Sequence, residues 1–129
     1  MPDLVDLTRS HLAAAHASEH GRSAELVLHD GVLRQSVIAL TAGSELAEHN
    51  SPPAASLQVL VGAVRVTGAE PTPPVTAGQL VVLTHERHAV QADEDSVFLL
   101  TTVTSLTDEI HEKQSRHGRD VGREGPARG

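Results

Sequence analysis

Apolar positions change their spacing at about residue 24. Before it, Leu7, His11, Leu12, Ala14 and Ala15 make a weak stripe at helical spacing in an alanine-rich stretch. Alanine favours helix and Gly21 supplies a stop, so the pattern predicts a short helix over 7–20. From Ala24 onward the runs are short and β-prone. "AELVLHDGVLRQSVIAL" holds two such runs around Asp30–Gly31, and Asp-Gly between apolar runs marks a hairpin. "AGSELAEHN", "SLQVLVGAVRVTG", "GQLVVLTHERHAVQA" and "DSVFLLTTVT" follow, separated by Gly, Pro and acidic clusters such as Asp93-Glu94-Asp95. The prolines of "EPTPPVTAG" mark a connection, because proline cannot sit in a central strand. Many short strands with regular turns mean a β-sandwich or barrel. From Thr107 the only large apolar residues are Ile110 and Val121. A brief helix near Asp108–Gln114 and then disorder are expected there. The chain thus divides into an N-terminal helical segment (1–23), a β-barrel (24–106) and a flexible tail (107–129).

Composition sharpens this picture. Phe98 is the one aromatic residue of 129, so the core must be built from Val, Leu, Ile and Ala, each of which buries less area than an aromatic ring. There is no cysteine, which removes disulfides and thiolate metal sites. The N-terminus lacks the basic start and apolar run of a signal peptide, and no segment has the length of a membrane helix. A cytoplasmic protein without a membrane partner is expected. The net charge is −7. Residues 1–106 carry all of that excess, with five arginines (Arg9, Arg22, Arg34, Arg65, Arg87) against twelve acids. That balance argues against nucleic acid as a partner. Of nine histidines, His11, His16, His20 and His29 precede the main strand region and His111 and His117 lie in the tail, so most are expected at the surface.

The glycine and histidine spacing resembles the cupin superfamily of small β-barrels. In that family's first motif a Gly is followed after five residues by His-x-His, then by a Glu and a closing Gly. Here Gly43 is followed after five residues by His49, and the closing glycine is Gly62. For the second motif the matching residues are Thr76-Ala77-Gly78 and His88. The match runs from about Val32 to Val103, most of the expected folded chain. The resemblance implies an all-β, cupin-type barrel (a jelly roll) with a short N-terminal helix. It also implies a place for three His and one Glu around a divalent ion, and there the sequence departs. The first His is His49 and the third is His88, but the second falls on Ser51 and the Glu on Ala55. Serine is a poor divalent-metal ligand and alanine is none, so no cofactor is expected, or at most a weakly held Zn, Fe, Ni or Mn ion. His85, three residues before His88, is the best substitute third ligand, although a solvated loop residue is the plainer reading.

Each candidate has a plain counterpart. His49 and His88 are either a ligand pair lining the barrel, with Ser51 beside them, or a relic pair bonded to each other or to water. "HERH" at 85–88 is not a metalloprotease motif, since its histidines are three apart and not on a helix. Gln58 and Arg65 are expected to face solvent or a dimer partner, and the 93–95 carboxylates to be solvated. Ser51 has no oxyanion hole to make it a nucleophile. Three functions remain: a barrel that binds a small molecule as sensor or accessory protein, a metal-dependent isomerase- or dioxygenase-like enzyme using His49, His88 and His85, or an interaction module without a ligand. The missing ligands favour the first and third. A homodimer is expected, because the hairpin "ELVLHDGVLRQSVIAL" has few charges to guard an edge.

Overall fold

Asp3 opens the chain's helix. Its carboxylate accepts the backbone N–H groups of Val5 (2.9 Å) and Asp6 (3.4 Å), satisfying two of the donors that a helix start leaves unpaired. In the computed structural model, which describes residues 1–47, 53–68, 72–83 and 89–104, this helix is α1, Leu4–Ala17. It starts three residues earlier than the apolar stripe predicts, because the Asp3 cap extends it. It also ends earlier, at Ser18, whose backbone is already extended (ψ 143°). Gly21, at φ +69°, belongs to the turn into the first strand rather than to the helix end. No helix among the described residues is long and apolar enough to cross a membrane.

Among the described residues nine strands follow, all antiparallel: β1 (Arg22–Asp30), β2 (Leu33–Leu40), β3 (Glu45–Ala47), β4 (Ala54–Val61), β5 (Ala63–Thr67), β6 (Val75–Thr76), β7 (Leu80–Leu83), β8 (Ala89–Ala92) and β9 (Ser96–Val103). They form a five-stranded sheet of order β1-β2-β9-β4-β7 and a four-stranded sheet of order β3-β8-β5-β6. Asp30 ends β1 and Gly31 turns the hairpin at φ +58°, as the Asp-Gly signal predicts. The prolines Pro73 and Pro74 precede β6, an edge strand of two residues, Val75 and Thr76, which lies inside the stretch expected to be a connection. Residues 105–129, including the brief helix expected at 108–114, lie outside the described residues.

Strand alternation sends one set of side chains between the sheets. Ile38, Leu40, Leu57, Val59, Phe98 and Leu100 from the larger sheet meet Val64, Val75, Val90 and Ala92 from the smaller one in a single buried cluster. A second cluster lies on the outer face of the larger sheet. There Ala15 of α1 covers Val37, Ala39 and Val97, all 0% exposed, with Leu4, Leu7 and Leu12 packed around them. At about 1.5–3 kcal/mol for each large apolar side chain fully buried, this outer cluster is a substantial part of what holds the helix in place.

Histidine–carboxylate pairs flank that contact. His11, expected at the surface, has a side chain only 12% exposed, with Nε2 2.8 Å from Glu25 and Nδ1 2.7 Å from Ser23. His16 meets Asp95 at 2.8 Å, and Asp95 also accepts the Ala42 N–H at 2.9 Å. Asp93 pairs with Arg65 at 3.1 Å. Asp93 and Asp95 are therefore structural: they tie the β8–β9 turn to β5, to α1 and to the turn before β3, where the sequence led us to expect plain solvation.

Two predictions come from these contacts. The Ala42 N–H is the main cause that holds the Asp95 carboxyl below its ordinary value of 3.8; burial opposes it and His16 adds to it. A depressed carboxyl stabilises the fold fully above its unfolded value and loses that contribution as pH falls through the folded value. Melting temperature followed from pH 6 to pH 2 should therefore drop less below about pH 4 in Asp95→Asn than in the wild type, from a lower starting point. Parallel profiles would contradict the assignment. The second concerns Gly62, at φ +93°, where an added Cβ would collide with the Asp95 carbonyl and with Ser96, which is 0% exposed. Gly62→Ala should cost more than about 2 kcal/mol. Gly31→Ala, with nothing within 4 Å of its Cβ position, should cost only about 1 kcal/mol. Denaturant melts of the two variants measure the difference.

Candidate functional site

The inner face of the larger sheet is laid out in rows fixed by strand register. One row runs Ile38–Phe98–Val59 across β2, β9 and β4 and is apolar throughout. The next runs Ser36–Leu100–Leu57–Val81 as far as β7. The third is Arg34–Thr102–Ala55–Leu83. Polarity thus rises from an apolar floor toward one end of the barrel, and Thr104, 7% exposed, follows Thr102, 2% exposed, at that end.

The sequence-predicted site lies on two segments of the chain. His49 and Ser51 lie between Ala47 and Pro53, and His85 and His88 between Leu83 and Ala89. These four residues fall outside the described residues, so their positions are not part of this geometry. One member of the implied metal set is described. Ala55 is partly buried and packs against the inner cluster, between Thr102 and Leu83 in register. A carboxylate ligand expected at this position is replaced by a methyl group in apolar surroundings. Among the described residues no group of three or more His, Asp or Glu side chains could hold a metal ion. Gln58 alternates with the inward Leu57 and Val59 and so faces outward, as expected, and Arg65 is exposed and paired with Asp93.

Arg34 is the residue that the sequence reading missed. It is 7% exposed, on the face of β2 that carries Ile38 and Leu40. The signal was present in "LRQSVIAL": Arg34, Ser36, Ile38 and Leu40 alternate, so a strand that buries Ile38 also turns Arg34 inward. Buried arginines are rare unless paired.

No protein-family model and no curated protein matches the chain in sequence. Solved structures do match in shape. A conserved protein of unknown function from Streptococcus pyogenes is 27% identical with a TM-score of 0.61, over 68% of this chain and 78% of its own. An RmlC-like cupin protein from Desulfovibrio desulfuricans is 26% identical with a TM-score of 0.56, over 64% and 81%. The salicylate 1,2-dioxygenase of Pseudaminobacter salicylatoxidans, also solved with gentisate, is 19% identical with a TM-score of 0.66. That last alignment covers 85% of this chain but 35% of the dioxygenase.

Proposed function

The chain has the cupin fold, and from that premise we propose that it is a barrel for a small molecule, acting as a sensor or accessory protein without a full metal site. The observation that carries this reading is Ala55. It occupies the position at which a metal-binding cupin offers its carboxylate, and it packs into the apolar cluster. The described part of the four-ligand set therefore does not fit a resident divalent ion, while the apolar Ala55, Val81 and Leu83 at this end of the barrel suit the body of an organic ligand. The gentisate-bound dioxygenase, similar in fold, supports small-molecule binding in a barrel of this shape. His49, His88 and Ser51 are proposed to line the mouth, where the two imidazoles orient a polar group of the ligand by hydrogen bonds; His85 stays a surface residue. A cytoplasmic location and a flexible, dispensable tail over 107–129 belong to the same reading.

Metal analysis of untagged protein should find well under one equivalent of zinc, iron, nickel or manganese, unchanged in His49→Ala. Ser51→His combined with Ala55→Glu should raise it, because the missing ligands are then restored. Stoichiometric metal in the wild type, lost in His49→Ala or His88→Ala, would overturn the reading in favour of a metal-dependent enzyme.

We also propose a homodimer through β1. This strand lies at one edge of the larger sheet, and its Leu26 and Leu28 are 48% and 40% exposed, an apolar edge of the kind that pairs with a second chain. Light scattering at high micromolar concentration should give about twice the chain mass of 13.6 kDa; a mass equal to that of one chain would count against it.

A further inference from the structure

Among the described residues, Arg34 has no partner that would explain its burial. Its guanidinium Nε is buried without a hydrogen-bond partner among the described residues, and Arg34 takes part in none of the ion pairs there. A lysine or histidine in such a place could shed its proton, but a guanidinium stays charged. A buried N–H of this kind destabilises the fold unless an acceptor reaches it. Arg34 stands at the end of the row Arg34–Thr102–Ala55–Leu83, where the polar end of the barrel meets its apolar floor.

We propose that Arg34 is the anchor for the carboxylate of a small, otherwise apolar monocarboxylic acid held in the barrel. The inference deepens the small-molecule reading above and rests on it. The planar guanidinium fork matches a carboxylate in geometry and charge and can bind it through two parallel hydrogen bonds. Thr102, 2% exposed and next to Arg34 in register, stands where a hydroxyl can add a third. The row beyond runs on through the apolar Leu100, Leu57 and Val81, and the ligand's hydrocarbon would lie on that side. A single guanidinium neutralises a single charge. A dianion such as a phosphate monoester would keep an uncompensated charge inside a chain whose net charge is already −7, so a monoanion fits best.

The test uses the full chain and three carboxylates, acetate, benzoate and 4-methylpentanoate, each beside its neutral amide. Melting temperature and the NMR signal of the Arg34 Nε–H group are followed at millimolar ligand. Benzoate or 4-methylpentanoate should raise the melting temperature by several degrees and move the Arg34 signal, while the amides do neither. Arg34→Met should lose the preference for acid over amide. Without ligand it should melt at or above the wild-type temperature, because the unpartnered buried N–H is gone. Acids and amides acting alike would sink the assignment to Arg34 and leave the small-molecule barrel standing. No response to any of the six would remove both. A large drop in the ligand-free melting temperature of Arg34→Met would show that a carboxylate of the chain itself pairs with Arg34, and would also overturn the proposal. If that variant fails to fold, the wild-type Arg34 signal still decides.

Discussion

The β2–β9 pair is buried on both faces, and the rest of the molecule is arranged around that constraint. Ile38, Leu40, Phe98 and Leu100 face the smaller sheet, while Val37, Ala39 and Val97 face the opposite way and are equally inaccessible. A strand buried on one face alternates apolar and polar residues; one buried on both must be nearly continuous in apolar residues. "VIAL" at 37–40 and "VFLL" at 97–100 are continuous in this way. The outer face then needs a cover, and the alanine-rich α1 provides it. Small side chains let the helix sit close to the sheet, as the fully buried Ala15 shows. A chain with one aromatic residue compensates by adding this second layer, since its barrel interior alone buries modest area per residue.

The same two-sided burial explains what was legible in the sequence. The hairpin at Asp30–Gly31, the run of short strands, the proline-marked connection and the leading helix all follow from local patterns that tertiary contacts do not override. The helix boundaries were misplaced because the stripe of Leu7, Leu12 and Ala15 reports only the packed face. Asp3, which sets the start, is a polar residue outside that stripe. The roles of Asp93 and Asp95 were invisible for another reason. An acidic turn reads as solvated unless its partners are known, and His16, Ala42 and Arg65 are distant in sequence from their carboxylates.

Only where a family pattern could be laid over it did the sequence point to a candidate site, and the described member of that pattern, Ala55, is where it departs. Arg34 went unread because no motif marks it, although period-2 alternation alone places it on the buried face once Ile38 and Leu40 are taken as core. That is a general property of β-sheet sites. A ligand-facing residue has the same parity as the core, so it shows up as a polar residue in an apolar phase rather than as a motif. An orphaned polar residue in the core phase is a conflict between local chemistry and global fold, and such conflicts concentrate at functional sites.

Ala55 and Arg34 flank Thr102 in a single row, and the two departures make one chemical change. In a metal-binding barrel the carboxylate at position 55 helps to neutralise a divalent cation. Here that negative charge is absent and the guanidinium of Arg34 stands two strands away. The electrostatic demand of the row is therefore inverted. Where a metal-binding barrel calls for a cation, this one calls for an anion. Neutral imidazoles can donate hydrogen bonds to a carboxylate as well as donate lone pairs to a metal, so His49 and His88 suit either charge. A carboxylate ligand beside Arg34 would use both departures together, and the negative charge spread over the rest of residues 1–106 would favour a ligand carrying no more charge than one guanidinium offsets.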